Sequence, residues 1–162
     1  MRQQGYGRII INSSVLGLVA LPMRGAYNAS KFALEGLFDT LRMELKNTNI
    51  FVSLIEPGPI ATEFRANSHK AFEEHIYNNE NILEASAHRH SYEKMIKRLI
   101  HKGKAVPFTL SPESVLKRVE HALTSDKPKI RYAVTVPTYV FGFLKRILPH
   151  RYLDWILLKF AK

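Results

Sequence analysis

Two short runs of branched aliphatic residues, separated by one long amphipathic stretch, constrain this chain more than any other feature. Ile9, Ile10 and Ile11 are consecutive and β-branched, with Gly7 before them and Asn12-Ser13-Ser14 after. That is the pattern of a buried strand bounded by turn residues. Ile50-Phe51-Val52-Ser53-Leu54-Ile55 has the same character. Between the two runs, Leu34, Leu37, Phe38, Leu41 and Leu45 recur at three- and four-residue steps, and Glu35, Asp39, Arg42 and Lys46 fall largely between them. The spacing predicts an amphipathic helix from Gly25 to about Asn47, ended by Asn47-Thr48-Asn49. Strand, helix and strand in that order read as a βαβ unit, whose right-handed crossover makes the sheet parallel. Ligands of such sheets bind beyond the carboxyl ends of the strands. Ser14 and the Pro57-Gly58 turn each lie just past such an end.

The helix also carries chemistry. Tyr27 and Lys31 are four residues apart, so they share one helix face. An ammonium near a phenol favours the phenolate, and a phenol tuned in that way exchanges a proton with an alcohol or carbonyl oxygen. Alone, Tyr27 reads as a half-buried aromatic, Lys31 as a solvated lysine and Ser14 as a capping hydroxyl. Together they form a candidate acid/base site.

At these residues the chain resembles the short-chain dehydrogenases/reductases, whose active site is a Ser followed by Tyr-x-x-x-Lys. Here Ser14 precedes Tyr27 by thirteen residues, the family's spacing, and Ser13 is left as its structural neighbour. The composite runs from the strand through Asn12-Ser13-Ser14, Gly17 and Tyr27-Asn28-Ala29-Ser30-Lys31 to a second strand ending Glu56-Pro57-Gly58-Pro59-Ile60-Ala61-Thr62. The resemblance implies an α/β, Rossmann-like doubly wound parallel sheet and an NAD(P)-dependent exchange of hydride with a secondary alcohol or ketone. It implies that Ser14 holds the substrate oxygen, Tyr27 exchanges the proton, and Lys31 bonds the cofactor ribose and tunes Tyr27. It places Pro57 and Gly58 beside the nicotinamide, with the Ile60 backbone and the Thr62 hydroxyl near its carboxamide or phosphate. The run Leu54–Phe64 is typical of the branch acting on steroids, retinoids and other lipophilic alcohols and ketones. Asn12 and Glu56 take no role in this reading.

The same resemblance implies that this is the C-terminal half of such a domain. The Gly-rich turn that would hold a pyrophosphate is not found; Gly5-Tyr6-Gly7 precedes a strand instead of following one. The family's catalytic Asn would lie before Met1. NAD and NADP are not distinguished, because the residues that discriminate them belong to an early strand.

Residues 1–138 are expected to be a partial Rossmann-like domain, in which the resemblance implies that 63–110 is a helical substrate lid, and 139–162 a basic amphipathic tail. Within the lid, helices are predicted over Ala66–Tyr77 and Ser91–Lys102. Ser111 is the expected N-cap of a helix with Pro112 at its first position and its end near Thr124; a last strand is expected over Ile130–Val136. His88 and His90 lack convergent partners, so no metal site is read there.

With 24 Lys+Arg against 14 Asp+Glu, the net charge is +10. The basic residues are spread and accompany no nucleic-acid-binding motif, so a solvated basic surface is the reading, with no nucleic-acid partner. There is no cysteine, which excludes disulfides and thiolate chemistry and is compatible with a reducing compartment. No N-terminal apolar segment resembles a secretory signal, and no run of about 18 apolar residues exists. A cytoplasmic location follows as the expectation. The tail from Tyr139, with Pro149 between two Phe/Leu/Ile-rich segments, leaves open a peripheral membrane contact, packing on its own domain, or a subunit contact. A homo-oligomer through the long helix is implied only by the resemblance. Two alternatives to an autonomous enzyme remain: a truncated fragment without cofactor binding or activity of its own, and a membrane-surface module acting through 139–162.

Overall fold

The structure, a computed structural model, describes residues 1–78, 84–100 and 107–160. It divides into two compact units, Met1–Ile60 with Pro107–Lys162, and Ala61–Val106.

The first unit is built on a parallel sheet in the order β1-β2-β3, formed by β1 (Gly7–Asn12), β2 (Ile50–Glu56) and β3 (Arg131–Ala133). The register pairs Gly7 with Ile50 and Asn12 with Ile55 on one side of β2, and Leu54 with Arg131 and Glu56 with Ala133 on the other. Helix α1 (Gly25–Glu44) returns the chain from β1 to β2, which makes the expected βαβ crossover. After α1 a turn through Thr48, whose hydroxyl accepts the Ile50 N–H, admits the next strand.

Alternate residues of the strands serve opposite faces. Ile9, Ile50 and Val52 pack with Phe38 and Leu41 of α1 and with Leu45 just past its end. Ile10, Ile55 and Tyr132 pack on the other face with Val115, Val119 and Ala122 of α4 (Glu113–Thr124). A sheet covered on both faces explains why the strands read as unbroken apolar runs instead of alternating ones. Leu54 and Ile55 are essentially inaccessible, and each contributes about 1.5–3 kcal/mol of hydrophobic stabilisation.

A third apolar cluster joins the turn after β1 to the C-terminal helices α5 (Val136–Ile147) and α6 (His150–Phe160). Leu16 and Val19 from the turn meet Phe141, Leu153 and Leu157 there. Pro149 separates the two helices as expected, and the Phe141 and Phe160 rings meet edge-on at 5.1 Å.

The second unit, described by itself, contains α2 (Phe64–Phe72), a π-helical turn (Glu73–Tyr77) and α3 (Arg89–Ile100). The rings of Phe72 and Tyr92 stand 5.7 Å apart and join α2 to α3. Residues 101 and 102 of the second predicted lid helix lie outside the described residues.

Three local expectations are corrected. Ser111 is not the N-cap of α4: the helix begins at Glu113 with Pro112 in the cap position, because the Ser111 carbonyl accepts the Ser114 N–H at 3.0 Å in a tighter turn. The last strand is three residues long instead of seven, since extended Thr135 delivers the chain into α5 at Val136. Glu35 does not lie on the solvated side of α1; it is buried and satisfied by Ser13 and Arg131.

Candidate active site

The chain leaves β1 and β2 at the same edge of the sheet, and backbone hydrogen bonds tie the two exits together. Ser13 N–H donates to the Ile55 carbonyl at 2.8 Å, and Val15 N–H donates to the Pro57 carbonyl at 2.8 Å. Ser14 is held between those two bonds in extended conformation, φ −166° and ψ 160°, and caps a 3₁₀ turn over Val15–Gly17. Its Oγ accepts the Leu16 N–H at 3.1 Å. A hydroxyl that accepts through a lone pair keeps its own proton available for donation.

Gly17 sets how closely this turn meets α1. A Cβ there would lie 2.9 Å from Glu35 Cγ and from Ser13 Oγ, and 3.1 Å from the Lys31 carbonyl. Only a glycine admits that approach without displacement. The contact brings the Ser14 turn onto the helix that carries Tyr27 and Lys31.

Lys31 Nζ donates to the Asn12 carbonyl at 3.0 Å and lies 5.6 Å from the centroid of the Tyr27 ring. The spacing of four thus places both on one face, as the sequence requires, and fixes the lysine to the end of β1. Tyr27 is half-buried and packs against the cluster of Leu16, Val19 and Phe141. Asn28, next to it, is buried and donates to the Leu21 carbonyl at 2.9 Å, which anchors the first turn of α1 to the preceding loop.

The Pro57-Gly58 turn packs against the start of α5. A Cβ on Gly58 would collide with Thr135 Oγ1, and Thr135 and Thr138 are fully buried beneath it. Ile60 pairs with Leu110 in an isolated parallel bridge, and the Pro59 carbonyl accepts the Leu110 N–H at 3.1 Å. Thr62 belongs to the second compact unit, where its hydroxyl accepts the Phe64 N–H at 3.4 Å.

Behind these residues lies a charged network that sequence reasoning missed. Arg131 on β3 donates to Glu56 Oε1 at 2.6 Å, to Asp39 Oδ2 at 2.5 Å and to Glu35. Glu35 also accepts from the Ser13 hydroxyl, and Arg42 adds a 3.3 Å contact to Asp39. Burial pushes the Glu56 carboxyl above its ordinary range, the Arg131 hydrogen bond pulls it back, and neighbouring Glu35 adds to the rise. Burial also works against the Arg131 charge, but hydrogen bonds to Glu56 and Glu35 outweigh it, so its proton is held more tightly than usual. Burial lowers Lys145, which stacks its ammonium over the Phe32 ring at 4.7 Å. A signal for this network did exist: Tyr27, Lys31, Glu35 and Asp39 succeed one another at four-residue steps along one ridge of α1. Glu56 sits at the end of an otherwise apolar strand.

A parallel sheet covered on both faces, with polar side chains gathered past its strand ends, defines the Rossmann-like class of α/β folds. Residues 1–72 match the family described as short chain dehydrogenase. The chain is 45% identical over 157 residues to "Uncharacterized oxidoreductase YbbO" of Escherichia coli K12, covering 97% of this chain and 50% of that protein. It is 50% identical over 64 residues to human "Retinol dehydrogenase 8", covering 40% of this chain and 21% of that one. In fold it resembles a short chain dehydrogenase/reductase from Burkholderia phymatum solved in complex with NAD, with a TM-score of 0.63 at 22% identity, covering 96% of this chain and 50% of that one. The chain thus spans about half the length of the curated oxidoreductase it matches over nearly its whole extent.

Proposed function

We propose that this chain is the C-terminal half of a short-chain dehydrogenase/reductase domain and carries its Ser…Tyr-x-x-x-Lys site, interconverting a lipophilic secondary alcohol and its ketone with NAD(P). The observation that carries the reading is the Lys31 ammonium, bonded to the end of β1 at Asn12 and lying 5.6 Å from the Tyr27 ring, on the helix against which Gly17 sets the Ser14 turn.

The donor set suits the ribose end of a dinucleotide. Lys31 spends one of its three N–H groups on the Asn12 carbonyl, and an ammonium has two more to offer to hydroxyls. When bound, the nicotinamide would accept or supply the hydride. Tyr27 exchanges the proton of the substrate oxygen, and the Ser14 hydroxyl donates to that oxygen as negative charge develops. Pro57, Gly58 and the Ile60 backbone would hold the nicotinamide end of the cofactor. The likeness over 64 residues to a protein named retinol dehydrogenase supports a lipophilic substrate.

The test is nicotinamide-linked oxidation of a panel of lipophilic secondary alcohols, hydroxysteroids included, by the protein and by Tyr27→Phe. Turnover that Tyr27→Phe abolishes while the thermal transition is unchanged supports the reading. Retained turnover in Tyr27→Phe overturns the site assignment, and no turnover with any alcohol or matching ketone overturns activity of this chain on its own.

A further inference from the structure

The C-terminal helices bury one face and leave the other bare. On α5, Phe141 is buried while Val136, Tyr139, Phe143 and Ile147 are more than half exposed. Steps of three and four put those four in one stripe. On α6, Leu153 and Leu157 are buried, and Tyr152, Trp155 and Leu158 are more than half exposed. Isolated exposed apolar residues need no explanation; consecutive stripes on two adjacent helices do.

The surrounding charge says what suits this surface. Asp154 is the only acid between residues 136 and 160, against Lys145, Arg146, Arg151 and Lys159. Lys145 is engaged with Phe32, whereas Arg146, Arg151 and Lys159 are exposed. Lys159 lies over the Trp155 ring at 3.6 Å, so cation and indole occupy one spot. Exposed aromatic rings next to basic side chains match a bilayer interface, where rings sit at headgroup depth and cations meet lipid phosphates. A protein partner covering the same stripes would gain nothing from the single-sign charge unless it were acidic. Among the described residues no helix is long and apolar enough to cross a membrane, so the contact lies on the surface.

We infer that α5 and α6 form a docking face for anionic lipid bilayers, with Phe143 and Trp155 entering the interfacial layer and Arg151 and Lys159 contacting headgroup phosphates. None of these residues is used in the catalytic reading.

Trp155 is the chain's single tryptophan, so its emission reports on this face alone. The full chain is mixed with vesicles of phosphatidylcholine containing phosphatidylglycerol, and separately with vesicles of phosphatidylcholine only. A blue shift and co-sedimentation with the anionic vesicles, weakened by salt, are expected. The exposed-site double variant Arg151→Glu/Lys159→Glu should bind at least tenfold more weakly, since each basic residue near an anionic surface is worth roughly a fivefold change. Phe143→Ser/Ile147→Ser should reduce the shift without altering the far-UV spectrum. No shift, equal binding to both vesicle types, or undiminished binding by both variants overturns the inference. So does a blue shift without lipid that grows with protein concentration, which would make a second copy of the chain the occupant.

Discussion

Lys31 of α1 donates through Nζ to the backbone carbonyl of Asn12 at 3.0 Å. One hydrogen bond thereby joins the helix bearing the candidate proton donor to the strand end bearing the candidate oxygen holder. Lys31→Met should raise the Kd for NADH or NADPH roughly ten- to a hundredfold, the worth of a hydrogen bond to a charged group. Fluorescence titration measures it; an unchanged Kd would separate Lys31 from the cofactor.

Gly58 has no room for a side chain against Thr135. Gly58→Ala should destabilise the fold by about 1–3 kcal/mol, the range for overpacking a tight site. Adding Thr135→Ala should recover part of that loss, because the colliding oxygen is removed. A urea midpoint for Gly58→Ala equal to the parent's would show that the turn can move away from α5.

Arg131 serves three carboxylates, of which Glu35 and Glu56 are buried. Arg131→Met should cost about 3–5 kcal/mol, since removing one partner strands buried charge. Equilibrium unfolding in urea tests this, and a loss below about 1 kcal/mol would mean that water already satisfies the carboxylates.

Glu56 gives a pH dependence of definite sign. Its folded pKa is raised, first by burial, so between the ordinary carboxylate value and the raised one the native state holds more protons than the unfolded state. Stability contributed by this group therefore falls as pH rises through that window, and is constant below and above it. Across the same window, the stability difference between Glu56→Gln and the parent should move in favour of Gln. Urea midpoints between pH 4 and 7 measure it, and a pH-independent difference would contradict the assignment.

The parts of this molecule legible in its sequence are those set by a single local period. Ile9–Ile11, the α1 stripe and Ile50–Ile55 announce the parallel unit, and the Tyr27–Lys31 step announces a shared helix face. Ser13, Glu35 and Arg131 are different, because their meeting depends on register between elements 22 and 96 residues apart. No local pattern encodes such a pairing, so Glu35 reads as a surface acid until β3 supplies its cation. The short last strand escaped for the opposite reason: Val134 and Val136 continue a β-like alternation, but Thr135 and Pro137 start a helix there.

The Arg131 cluster carries a consequence for the order in which the molecule is made. Glu35, Asp39 and Glu56 emerge from the ribosome before their shared guanidinium, which lies 75 residues beyond Glu56. Until then the three acids, two of them destined for the interior, favour staying in water over docking α1 on the sheet. Residue 131 supplies that cation, so the three acids gain their shared partner only when β3 has been synthesised.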